Sequence, residues 1–142
     1  MIETTFLDRC IRTLEKSLEL LNKTDSDKIE YDMYRSASVK EFELILEQTG
    51  KLLRKCLKFY FHSPKDVDAL YFKDVFRYAA HHGILSLEEV ERWMEYRDNR
   101  NSTAHDYGKG FAEKTLLLLP HFIVDAKKAS KAIQKVSDDQ SS

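Results

Sequence analysis

At 142 residues the chain has the length of one domain, and its 42% hydrophobic and 33% charged residues supply a core while excluding the disordered class. Four Gly and two Pro are too few for a turn-rich all-β fold. The formal net charge of −1 excludes a global basic field that would draw the protein onto nucleic acid or anionic lipid, so any such binding has to use a local patch.

Leu7, Ile11, Leu14, Leu18 and Leu21 alternate spacings of three and four, which predicts a first helix from about Glu3 to Lys23. Val39, Phe42, Leu46, Thr49, Leu53, Cys56 and Tyr60 continue that spacing, with Ile45, Leu52 and Phe59 widening the stripe. This second helix is long and central, starts between Ile29 and Ser38, and stops at Pro64, which disfavours helix at Ser63. A third is expected from about Lys65 to His82, with Phe72, Val75, Phe76 and Ala79 inward and Gly83 as a left-handed stop.

Ser86-Leu87-Glu88-Glu89 reads as a capping box that starts a fourth helix, whose buried side takes Leu87, Val90, Trp93 or Met94, and Ala104. A last helix runs from about Phe111, with Leu116, Leu119, Ile123, Ala126 and Ile133 on one stripe and a kink at Pro120. The expectation is an all-α, antiparallel up-and-down bundle of about five helices, one domain over residues 1–137 with 138–142 a disordered tail.

Cys10 and Cys56 lie apart in apolar helical patterns, which predicts a reduced core pair in a cytoplasmic protein. The N-terminus MIETTFLDRC has acids where a secretory signal needs bases, and the longest apolar run, Thr115 to Val124, is about half of a membrane span. Neither secretion nor membrane insertion is expected. The histidines have no ligand set, so neither a metal nor a cofactor is expected.

After Tyr96 the apolar residues thin out, and Arg97 to Gly110 collects two arginines, two asparagines, a histidine and a tyrosine. Metal-free cleavage of a phosphodiester needs a cation for the phosphate and a group of near-neutral pKa to move a proton, roles that suit Arg and His. On one helix, Arg100 and His105 point about 140° apart. A site therefore needs either unwinding through Asn101, Ser102 and Thr103, or two copies of the segment meeting across a dimer axis. Arg97, Asn101 and His105 share one face if the helix continues. The plainer reading is that His105 answers the helix dipole, the arginines are solvated and Tyr107 pins a loop; spacing leaves both open. Lys51, Arg54, Lys55 and Lys58 form a basic stripe whose plainer reading is a solvated face, while Arg92, Arg97, Arg100 and Lys109 are better placed for a phosphate backbone near the segment.

Arg100-Asn101-Ser102-Thr103-Ala104-His105-Asp106-Tyr107 fits the pattern R-x-x-x-x-H-x-Y and resembles HEPN-domain proteins, in particular the small partners of minimal nucleotidyltransferases, described as nucleotidyltransferase substrate-binding proteins and as HepT-like toxins. VKEFELILEQTGKLLRKCL from Val39, DVFRYAAHHGIL and LLPHFIVDAKKA extend the resemblance over roughly residues 5 to 135. It implies a HEPN-like bundle that forms a homodimer and brings two motifs into one cleft. It also implies catalytic roles for Arg100 at the phosphate, His105 in proton transfer and Asn101 in support, while position beside the motif is what predicts RNA contacts from Arg97 and Lys109. Tyr107 becomes the residue to which a nucleotidyltransferase antitoxin adds AMP, silencing a metal-independent endoribonuclease toxin that leaves a cyclic phosphate. The other function class is a non-catalytic subunit that binds a nucleotide or polynucleotide for its nucleotidyltransferase.

Overall fold

The three-and-four spacings translate into six helices among the described residues, which in this computed structural model are 1–102 and 109–141. They are α1 (Thr5–Asn22), α2 (Ile29–Leu57), α3 (Pro64–Asp68), α4 (Phe72–His81), α5 (Leu87–Ser102) and α6 (Lys109–Ser141). The result is an all-α bundle in which α2 packs against every other helix, so its stripe of Phe42, Ile45, Leu46, Thr49, Leu52, Leu53, Cys56 and Leu57 is buried. Leu7, Ile11, Leu14 and Leu21 from α1, and Leu119, Phe122, Ala126, Ala129 and Ile133 from α6, close one continuous core with it.

The expected third helix is two helices. At about 100° per residue, Val67 and Phe76 would point about 180° apart on one helix, yet both are fully buried. The break between α3 and α4 brings both to the core. It is fixed by Arg54, whose Nη1 donates to the Val67 carbonyl at 2.6 Å, and by the Tyr71 amide, which donates to Asp74 Oδ2 at 3.3 Å. The second helix ends at Leu57, so Phe59 and Tyr60, expected on its buried stripe, are exposed, and the Tyr60 ring stacks on His82 at 4.4 Å.

Gly83 has φ +73° and stops α4 as expected, with the Ile84 amide reaching back to the Ala79 carbonyl at 2.9 Å. The capping box is formed: the Ser86 amide donates to Glu89 Oε1 and the Glu89 amide to Ser86 Oγ, each at 3.1 Å. Leu87, expected inside, is exposed because it stands in the first turn, ahead of the packed face that begins at Val90. α6 continues through Pro120 and, in place of the expected disordered tail, stays helical to Ser141. Ser137 there is buried and its Oγ accepts the Ile2 amide at 2.9 Å, tying the helix to the start of the chain.

Both cysteines are buried. Burial, then the Glu41 carboxylate, push the Cys10 thiol up to about 11, and burial pushes Cys56 up to about 12. Neither should react with a disulfide reagent near ~pH 8 until denaturant is added, because the thiolate is the nucleophile. The raised values favour the protonated thiols of the folded state, so their contribution is complete below the ordinary value of 9.0 and is lost as pH rises through about 11 and 12. The melting temperature should fall over that alkaline range.

Candidate functional site

The last three turns of α5 carry two stripes with different work. One turns toward α6. Arg92 and Tyr96, one turn apart, converge on Asp125, whose side chain is wholly buried. Arg92 donates to both carboxylate oxygens, Nε to Oδ2 at 2.9 Å and Nη2 to Oδ1 at 3.0 Å, and the Tyr96 phenol donates to Oδ2. The hydrogen bond to Asp125 raises Arg92 above its ordinary range, while burial and then that same carboxylate raise Tyr96. His121 Nε2 stands 3.8 Å from Oδ1 at the exposed edge. One turn further along α5, Asn99 Nδ2 donates to Thr115 Oγ1 at 2.9 Å, and Thr115 is itself buried.

The second stripe, Arg97, Arg100 and Asn101, lines a groove of about 210 Å³ with Leu46 and Glu47 of α2 and Phe72 of α4. The Arg97 guanidinium lies over the Phe72 ring, 5.2 Å from its centroid, and Arg100 Nε is 3.9 Å from Glu43 Oε2. Three of the expected site residues are thus brought to one surface. Asn101 and Ser102 remain helical, so unwinding does not begin at either of them. His105 and Tyr107 lie outside the described residues, and so does the side chain of Lys109, whose backbone opens α6.

Arg92, grouped with the phosphate-facing cations by its position, is instead tied to Asp125. Of the basic stripe, Lys51, Lys55 and Lys58 are exposed, Lys51 pairing with Glu47 at 3.2 Å and Lys58, one residue past α2, with Asp68 at 3.5 Å, while Arg54 is turned to the Val67 carbonyl of α3. Among the described residues no group of three His, Cys, Asp or Glu side chains is arranged to hold a metal, and no helix is long and apolar enough to cross a membrane. Asp125, Tyr96, Thr115 and Phe72 were missed. A signal for the first was present: an acid between Phe122, Ile123 and Ala126 on a buried stripe demands a partner.

The sequence matches the model of the family "Nucleotidyltransferase substrate binding protein like" over residues 4–135. The chain belongs to this family. A curated relative in Haemophilus influenzae, named probable ribonuclease HepT, is 26% identical over 128 residues, covering 84% of each chain. The family's fold is also matched by solved structures. One from Haemophilus influenzae, described as revealing the fold of a substrate-binding domain of a nucleotidyltransferase, superposes with a TM-score of 0.79 at 22% identity, covering 93% of this chain and 99% of that one. A crystal structure from Thermus thermophilus gives a TM-score of 0.62 at 24% identity over 84% of this chain and 98% of its own.

Proposed function

We propose that this protein is a metal-independent endoribonuclease toxin, held silent by a nucleotidyltransferase partner that transfers AMP from ATP to the Tyr107 phenol oxygen with release of pyrophosphate. The observation that carries the reading is the gathering of Arg97, Arg100 and Asn101 on one surface groove at the end of α5, with His105 four positions after Asn101 in the sequence. The name of the Haemophilus relative, a probable ribonuclease, supports it. In the proposed reaction the 2′-hydroxyl of RNA attacks the adjacent phosphorus and the 5′-oxygen leaves, giving a 2′,3′-cyclic phosphate and a 5′-hydroxyl. Arg100 offsets the charge that builds on the phosphoryl oxygens, His105 moves the proton, and Asn101 supports the pair. A homodimer supplies two motifs to one cleft and removes the conflict of about 140° between Arg100 and His105. A monomeric mass at micromolar concentration, with activity retained, would overturn that part.

The purified, unmodified protein should degrade RNA in the presence of a chelator. A second reading, a non-catalytic substrate-binding subunit of a nucleotidyltransferase, is favoured by the family's description, and it gains if RNA stays intact.

Tyr107 is the regulatory acceptor rather than a proton shuttle, since a phenol with an ordinary pKa near ~10 moves protons poorly at neutral pH. AMP there would set an anion two residues from His105 and compete for the arginines. Tyr107→Phe should keep most of the ribonuclease activity while resisting silencing on co-expression with the partner. Peptide mass spectrometry checks the acceptor, and AMP on another residue, or on none, would reject the assignment.

A further inference from the structure

Gly50 sits in the interior of α2, where a glycine costs roughly 0.5–1 kcal/mol relative to alanine. A Cβ there would come within 3.2 Å of Phe72 Cε2 and 3.3 Å of Cδ2, so the bare backbone is the seat of that ring. Phe76 lies behind it, ring centroids 4.5 Å apart, and the Arg97 guanidinium lies over it at 5.2 Å. Three helices therefore cooperate to hold one arginine over one half-buried aromatic ring on the wall of the 210 Å³ groove. Both signs of charge meet at the groove, with Glu43 of α2 standing 3.9 Å from Arg100 Nε. Arg97 and Arg100 stand on the α5 wall, and the exposed Glu47, paired with Lys51 at 3.2 Å, stands on the α2 wall.

We propose that this groove is a base subsite: it takes one unstacked nucleobase of single-stranded RNA, stacked on the Arg97–Phe72 pair, with the adjoining phosphate on Arg100. The inference rests on the RNA reading above and gives it a residue-level address. The groove is smaller than the ~300–1,000 Å³ clefts that enclose drug-sized ligands, which suits a single base. Aromatic rings and guanidinium planes are the surfaces on which proteins stack splayed bases, and arginine serves the phosphate as well. Arg97 and Arg100 draw the sugar-phosphate toward α5, and the Glu47 carboxylate, shared with Lys51 on the far wall, has lone pairs left to accept from a base's exocyclic amine.

The test uses a fluorescein-labelled hexa-adenylate with 2′-fluoro sugars, which lacks the attacking hydroxyl, and a set of the same oligomers with one base removed at each position in turn. Binding is followed by anisotropy in chelator. With the unaltered protein, removing the base at one position should weaken binding about tenfold, the size of one base–aromatic stack, and removal elsewhere should do much less. Phe72→Leu keeps the side-chain bulk and Arg97→Lys keeps the charge. Each should weaken the intact hexamer about tenfold and erase the dependence on position. Equal binding of all the abasic oligomers, or undiminished position dependence in both variants, would overturn the subsite while leaving RNA binding in place. Failure of the unaltered protein to bind the intact hexamer would overturn the RNA reading and the subsite with it.

Discussion

Asp125→Ala should lower the stability of the protein by about 3 kcal/mol, because removing one member of a buried, hydrogen-bonded charge pair typically costs ~3–5 kcal/mol. The lower end applies because Arg92 is 29% exposed and water can reach part of its guanidinium. The Tyr96 phenol has no such recourse, being 2% exposed and left without its acceptor. The loss should appear as a lower urea midpoint with little change in slope. Combining Asp125→Leu with Arg92→Met and Tyr96→Phe should recover much of it, since well-packed apolar groups often replace a buried pair without loss. If Asp125→Ala alone melted like the parent, the pair would have no structural weight.

His105→Ala and Arg100→Ala should each cut RNA cleavage by at least about a hundredfold and relieve growth inhibition, the scale on which positioned proton transfer and fixed charge act. Arg100 has a side chain 49% exposed, and His105 stands in the apolar-poor run RNSTAHDYGKG, so neither change should open a core cavity. Unchanged urea midpoints together with lost cleavage would fix the roles as chemical. Full activity on RNA in either variant would show the assigned role to be wrong.

The bundle was legible because its stripes are long. Leu7 to Leu21 and Phe42 to Leu57 each cover several turns, and the Ser86–Glu89 box and Gly83 are local devices with one physical solution apiece. The break before Phe72 was not read, since Phe72, Val75, Phe76 and Ala79 make a satisfactory stripe until Val67 is also required to be inside. The helical end to Ser141 depends on Ser137 meeting the Ile2 amide, a partner from the other end of the sequence that no local pattern displays. The candidate site divides in the same way. Arg97 and Asn101 share a face by spacing alone, whereas Phe72 and its seat on Gly50 come from other helices and join that face only once the chain is folded.

Trp93, the single tryptophan of the chain, sits at 0% exposure among Phe76, Tyr96 and Phe122, and its Nε1 has no hydrogen-bond partner among the described residues. That makes it an optical reporter of how α5 is seated. An indole kept from water and from a polar partner at its N–H emits toward the blue, and Tyr96, in edge contact with it, can pass excitation to it. A red shift that precedes the loss of helical circular dichroism would mark α5 lifting from α6 before the bundle opens, separating a local opening from global unfolding in a single titration.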